Sequence, residues 1–272
     1  MRNVVMATII WFASVAAAVA AGEPAGSLYV VGMGPAGPDL TAPRVLSIIE
    51  QADYFLCSPR LPQRFPAFGI DPDKIAFNPW EDPPDDDAPT GSPLDSRAWR
   101  RQRVQDFVLE KIHAGKTVVM MDGGDPCVYA PTLGNLLVGL DDRYYEVVPG
   151  MGAFNAAAAA LKRSMTCAGA RFVLLTSPRS LFDDAGDVGD IVEDLARYPA
   201  TLVFYMALEG MADLVQRFRR HFPDDLPVAI VYFAGYPDRE FVLRSTLTDI
   251  VRDMAPMDET WLGLVVMGEC VR

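Results

Sequence analysis

A chain of 272 residues, half of them hydrophobic, is long enough for one large domain or two modest ones, and it is neither disordered nor fibrous in composition. Its 24 Lys and Arg against 36 Asp and Glu give a formal charge of −12, the wrong sign for a protein that neutralises phosphates, so no nucleic-acid partner is expected. Four cysteines, none in a C-x-x-C pair, and two histidines offer no ligand cluster for a metal; the scattered cysteines read as small buried hydrophobes.

Arg2 is followed by no charged residue until Glu23, and the stretch ends in Ala18-Val19-Ala20, a small-x-small pattern of the kind that precedes a cleavage site. Residues 1–26 therefore read as a signal peptide, or as a membrane anchor, since the uncharged stretch is just long enough to span a bilayer. The expected location is exported, periplasmic or membrane-anchored, with a cytoplasmic chain as the alternative. Ser27–Val31 reads as a strand. Thr41 is placed to cap a helix with Pro43 in its first turn, and Tyr54–Cys57 reads as a second buried strand. Residues 58–103 read as an irregular insertion over a site, Pro-, Asp- and Gly-rich, with a short strand near Ile75–Phe77 and a solvated acidic run around Glu81, Asp82 and Asp85–Asp87. A helix follows with Trp99, Val104, Phe107, Val108 and Ile112 on one face, then a strand at Thr117–Met121, a helix near Thr132–Leu140 and a strand at Tyr145–Val148. Alternation of this kind over residues 27–148 argues a parallel sheet. Residues 149–272 continue with an Ala-rich helix at 153–161. Strands are expected at Arg171–Thr176, Thr201–Met206, Val228–Phe233, Phe241–Leu243 and Leu262–Met267, and helices at Ile191–Arg197, Met211–His221 and Leu247–Met254. The expected fold is α/β: two α/β domains, 27–148 and 149–272, meeting near Glu146–Gly150.

Gly32-Met33-Gly34-Pro35-Ala36-Gly37 formally matches the G-x-G-x-x-G dinucleotide fingerprint after a strand. The physics behind that fingerprint is missing. Pro35 and Pro38 carry no amide proton, and the helix starts too late to present its amides to a phosphate held at Gly34. Asp53 precedes the second strand, so it faces the wrong edge of the sheet for a ribose contact.

The same loop, continued as Pro38-Asp39-Leu40, resembles the opening G-x-G-P-G-D-P-D-L of the tetrapyrrole methylases. Gly123-Gly124-Asp125-Pro126-Cys127-Val128-Tyr129 is similar to their G-G-D-P-F-V-F loop, and Val147-Val148-Pro149-Gly150 before an Ala-rich helix to their V-P-G segment. Thr201-Leu202-Val203-Phe204-Tyr205-Met206 resembles their T-L-V-x-Y-M strand; Pro227–Val231, Thr246-Leu247 and Gly263–Glu269 match their closing strands in family order.

The resemblance implies two α/β domains with S-adenosylmethionine bound in the cleft between them, methyl transfer to a tetrapyrrole-like polycarboxylate ring, and a homodimer. Carried over position by position, the donor contacts are Pro35, Gly123, Gly124, Asp125, Val128, Gly152, Ala153, Met206 and Ala234. Asp125 is equally suited to capping its own turn, and Tyr129 reads as a buried aromatic. Because a sulfonium donor is already activated, alignment supplies much of the acceleration, and no general base or metal is assigned. Arg60, Arg64, Arg97, Arg100, Arg101 and Arg103 flank the insertion; Arg60, Arg100 and Arg101 are the candidates for acceptor carboxylates, since guanidinium forks match them. Ala130-Pro131 stands where many members have Gly-Arg, Gly152-Ala153 where they have a hydroxyl residue, and Ala234-Gly235-Tyr236-Pro237-Asp238-Arg239 where many carry A/G-T-x-x-x-Q. These departures leave open a peptide acceptor, or an exported ligand-binding protein that has lost catalysis.

Overall fold

The structure, a computed structural model, describes residues 25–81, 93–182 and 190–272. The expected signal or anchor segment lies outside them except for its last two residues, as does most of the acidic run. No helix among the described residues is long and apolar enough to cross a membrane.

Among the described residues ten strands form two sheets of five. The first contains β1 (Ser27–Gly32), β2 (Tyr54–Leu56), β3 (Ile75–Phe77), β4 (Thr117–Asp122) and β5 (Tyr145–Val148) in the order β3-β2-β4-β1-β5. Every pairing in it is parallel, as the alternation of strands and helices requires. Helix α1 (Pro43–Gln51) packs Val45, Ile48 and Ile49 on one face with Val31, Val119 and Met121. A four-residue helical turn, α2 (Leu61–Arg64), follows β2. Helix α3 (Pro93–His113) packs Val104, Val108 and Ile112 on the other face with Leu28, Val30, Val118 and Met120. Both faces are thus covered, which is why β1 and β4 read as continuous apolar runs.

The second sheet contains β6 (Phe172–Thr176), β7 (Ala200–Phe204), β8 (Pro227–Tyr232), β9 (Phe241–Thr246) and β10 (Gly263–Met267) in the order β6-β7-β10-β8-β9. Only β6 and β7 run parallel; the other pairings are antiparallel. On one face lies α4 (Ala153–Leu161), whose Ala157 and Leu161 meet Val203, Ala229 and Val266. Helix α5 (Pro178–Phe182) follows β6. On the opposite face α6 (Ile191–Ala196), α7 (Met211–Phe218) and α8 (Ile250–Met254) close over Phe204, Ile230 and Tyr232.

Several expectations need correction. Thr41 does not cap α1: the N-cap is Ala42, with no side-chain bond, and the Thr41 hydroxyl donates instead to the carbonyls of Met33 and Gly37. Proline at the first helical position already fixes the backbone there, so the hydroxyl is released to hold the glycine loop. Near Thr132–Leu140 only one wide turn forms, Thr132–Leu136, with the Leu137 amide on the Thr132 carbonyl. The insertion is not irregular throughout: Phe68 and Ile70 are buried, β3 extends the sheet, and α3 begins at Pro93, well before Trp99. Its helical turns before α3 are three or four residues long, each with a proline in its first two positions, and are below what hydrophobic periodicity detects. The cysteines divide three ways. Cys57 is buried, Cys127 is exposed, and Cys167 is joined to Cys270 by a disulfide. That bridge staples the final 3₁₀ turn, Glu269–Val271, to the segment after α4. There Arg244 also donates to the Leu161 and Val271 carbonyls.

Candidate active site

The ends of β1, β4 and β5 meet with almost no room between their backbones. A Cβ on Gly150 would lie 2.2 Å from the Gly124 carbonyl oxygen and 2.6 Å from that of Gly32. One on Gly32 would lie 2.5 Å from the Gly150 nitrogen. Gly34 and Gly124, both with positive φ, exchange backbone hydrogen bonds of 3.2 and 2.8 Å. Only glycine satisfies both the close approach and the left-handed backbone.

These pinned loops form one wall of a cavity of about 440 Å³ between the two sheets, a volume ordinary for a cofactor site. Pro35, Gly123, Gly124, Asp125 and Val128 line it from the first half, and Gly152, Ala153, Met206 and Ala234 from the second. The residues singled out for the donor therefore come together around one space. Gly123 faces it with nothing within 4 Å of where a Cβ would stand. Asp125 does both things open to it: its Oδ1 accepts from the Cys127 amide at 2.9 Å, holding the turn, while the residue lines the cavity.

Sequence reasoning missed the aromatic members. Tyr129 is not buried: it is 37% exposed, stacks on Tyr205 at 4.5 Å, and donates its hydroxyl across the cleft to the Leu175 carbonyl at 3.3 Å. Phe65, Tyr236 and Trp261 add to the lining, and Phe65 approaches Tyr236 from the opposite half at 6.3 Å. Tyr129, Met206 and Phe233 all hold positive φ, near 50–55°, a strained conformation for such side chains. All three line the cleft. An aromatic three residues beyond the G-D-P turn was the only signal for Tyr129, and alone it does not distinguish rim from core.

Two titratable groups here, Tyr205 and Cys127, are poor bases or nucleophiles. Burial pushes the Tyr205 phenol up, so it keeps its proton at neutral pH. Burial, and then the Asp125 carboxylate, raise the Cys127 thiol, which is thus not activated. Among the described residues no cluster suited to a metal ion occurs. Asp53 sits at the opposite edge of the sheet, where it accepts from the Thr117 amide at 2.8 Å and pairs with Lys116. The Thr117 amide bond is the main reason its carboxyl is held below the usual value.

The structure separates the arginines. Arg60 is exposed at the start of α2 and does not line the donor cavity. Arg64 lies at the cleft, beside the Phe65 ring. Arg101, an expected acceptor ligand, instead donates its Nε to the Asn135 carbonyl at 2.8 Å and so braces the Thr132–Leu136 turn. Arg103 stacks on Phe77 at 3.9 Å. Arg97 and Arg100 line a second cavity.

Comparison with known proteins follows the same geometry. The family described as Tetrapyrrole (Corrin/Porphyrin) Methylases matches residues 27–251. A precorrin-4 C(11)-methyltransferase of Mycobacterium tuberculosis (strain H37Rv) is 31% identical over 252 residues, covering 89% of this chain and 90% of that protein. The protein of the same name from Rhodococcus erythropolis is 27% identical over 246 residues, with the same coverage of 89% and 90%. Among solved structures, a cobalt precorrin-4 methyltransferase superposes with a TM-score of 0.66 at 23% identity, covering 91% of this chain and 96% of that one. A uroporphyrin-III C-methyltransferase from Thermus thermophilus, in complex with S-adenosylhomocysteine, gives 0.63 at 20% identity, covering 91% and 99%. At these identities the structural likeness is one of fold.

Two outcomes are expected. Gly123→Ala should fold as stably as the parent, since its Cβ enters open space, yet bind S-adenosylhomocysteine at least roughly tenfold more weakly because that space is the ligand's. Gly150→Ala should instead cost about 1–3 kcal/mol or more through backbone overlap. Calorimetry and urea unfolding on the pair check this, and unchanged binding in Gly123→Ala would remove the donor from this cavity. The second concerns Asp122, at the end of β4. It is 6% exposed; its Oδ1 accepts from the Thr132 hydroxyl at 2.7 Å, and Oδ2 has no hydrogen-bond partner among the described residues. Burial pushes its carboxyl up from 3.8 to about 6, against the Thr132 bond. The folded state therefore holds this proton more tightly than the unfolded one, and the stability it contributes is full below pH 3.8 and lost by about pH 6. Asp122→Asn should escape that loss. It should exceed the parent by up to roughly 3 kcal/mol at pH 8 and lose this advantage near pH 3.5. A pH-independent difference between the two unfolding curves would contradict the assignment.

Proposed function

This chain belongs to the tetrapyrrole (corrin/porphyrin) methylase family and is an S-adenosylmethionine-dependent methyltransferase; we propose that its acceptor is a polycarboxylate tetrapyrrole of the precorrin type. The observation that carries the reading is the single cavity between the sheets, shared by Pro35, Gly123, Gly124, Asp125, Val128, Gly152, Ala153, Met206 and Ala234. The residues fit the donor. Gly123 leaves room where a side chain would stand, Gly124 and Gly152 let the backbone approach a ligand closely, and the apolar Val128, Met206 and Ala234 suit a sulfonium's carbon substituents. When bound, S-adenosylmethionine supplies an activated methyl group.

The protein's work is then alignment and exclusion of water. Asp125, held by the Cys127 amide, presents a fixed negative charge to a cationic donor. Tyr129, locked between Tyr205 and the Leu175 carbonyl, ties the G-D-P loop to the second sheet and fixes the width of the cleft. Tyr236 and Trp261 give the mouth flat apolar faces on which a conjugated ring can lie. Tyr205 and Cys127 both hold their protons at neutral pH, so neither is poised to abstract one.

The test is transfer of isotope-labelled methyl from S-adenosylmethionine to a reduced uroporphyrinoid ring, with a peptide acceptor in parallel. Label in the ring is expected. Label in the peptide alone would contradict the ring reading.

We further propose that the chain works in an oxidising compartment. The Cys167–Cys270 disulfide and the uncharged stretch after Arg2 support this, since disulfides persist outside the reducing cytoplasm. Thiol trapping in the native host should find this pair oxidised, and a wholly reduced pair would overturn the location.

A further inference from the structure

Asp122 ends β4, immediately before the loop that lines the donor cleft, and it is 6% exposed. It holds two loops at once. Its carbonyl accepts from the Met33 amide at 2.8 Å, in the loop after β1, and its Oδ1 accepts from the Thr132 hydroxyl at 2.7 Å. The second bond ties together the two ends of segment 123–131, which carries Gly123, Gly124, Asp125, Val128 and Tyr129 to the cavity.

Neither bond needs an acid. The first is made by the backbone, and the side-chain carbonyl of an asparagine would also accept from Thr132. What the carboxyl adds is charge, and the fold does not stabilise that charge: Oδ2 has no hydrogen-bond partner among the described residues. Above about pH 6 the ionised group therefore costs stability. A buried charge kept against stability is characteristic of a functional site.

Its field reaches the cleft loop. Burial and Asp125 raise the Cys127 thiol, and the Asp122 charge adds to them; Cys127 is the neighbour of the lining residue Val128. The surroundings are otherwise poor in titratable groups. Residues 30–37, after and within β1, and residues 147–152, at the end of β5, carry no ionisable side chain. Beyond β2 stands Cys57, whose thiol burial pushes up to about 12. Segment 123–131 adds Asp125, which lines the cavity, and α3 brings Arg97, Arg100 and Arg101 to the Thr132–Leu136 turn. Both histidines are engaged elsewhere, His113 against Tyr144 at the last residue of α3 and His221 with Asp190.

We propose that Asp122 is a specificity-determining residue of the donor site: its buried carboxylate favours the cationic S-adenosylmethionine over S-adenosylhomocysteine, whose sulfur is neutral. Contact is not required, because charges in a poorly solvated region act over several ångströms with little screening. The two ligands differ by one methyl group and one positive charge. A site that must take up the first and release the second is therefore served by a negative charge that the second cannot use. This rests on the donor occupying the cleft, and it is independent of the acceptor.

Calorimetry with both ligands, on the parent and on Asp122→Asn, from about pH 5 to about pH 7.5, tests the assignment. The parent's preference for S-adenosylmethionine should rise roughly three- to tenfold as pH climbs through about 6. Near that pH S-adenosylmethionine, and not S-adenosylhomocysteine, should release part of a proton on binding, read from buffers of different ionisation enthalpy. Asp122→Asn should bind S-adenosylhomocysteine within about twofold of the parent, since its amide oxygen still holds Thr132. Its preference between the ligands should be weaker and flat with pH. If Asp122→Asn binds neither ligand, the parent's pH profile and proton release decide alone. Equal preference in parent and variant at every pH, or a parent whose preference ignores pH, overturns the role of Asp122. Gly123→Ala separates the two failures: if it binds both ligands as the parent does, the donor cleft itself is misplaced and the role of Asp122 falls with it.

Discussion

Three strand ends of the first sheet touch backbone to backbone, and the geometry of the cleft depends on that contact. Gly32, Gly124 and Gly150 leave no space for a Cβ or no conformation for one, and the Gly34–Gly124 bridge locks the loops after β1 and β4 into register. The converging loops bring the glycine backbone to the ligand space, beside the side chains of Asp125 and Val128. Thr41 serves the same end from outside, spending its hydroxyl on the Met33 and Gly37 carbonyls instead of on its neighbouring helix.

The second half meets this wall with a strained edge. Met206 and Phe233 follow β7 and β8 in left-handed conformations, and Gly235 packs so closely that a Cβ would lie 2.9 Å from both Pro35 and Leu40. Tyr129 returns the contact from the first half through Leu175. Each strained residue costs about 1–3 kcal/mol, which the two well-covered sheets offset. Strain at the cleft suits a site built for positioning, and it fits a reaction in which the donor already carries the chemical activation.

The parallel first sheet was legible because its central strands are continuous apolar runs between helices with clear periodicity: β1 and β4 lie within a residue of where the sequence places them. The glycine loop was legible in what it lacked. Prolines in place of amides and a late helix argued against a dinucleotide, and α1 does begin only at Pro43. What stayed hidden depends on distant partners. Short elements such as α2 and the 3₁₀ turns around Phe68 carry no period, and the Cys167–Cys270 pair is 103 residues apart in sequence. Arg101 and Arg100 are adjacent and chemically identical, so only the fold could direct one to a carbonyl and the other to a cavity.

The account stands or falls on whether one ligand engages both halves of the cleft. Amide hydrogen exchange of the full chain with and without S-adenosylhomocysteine measures this directly. Protection is expected in the loops around residues 33–37 and 123–129 and, at the same ligand concentration, around 205–207 and 233–236. Protection confined to one half of the chain, or none in either, would contradict a donor site built between the two sheets.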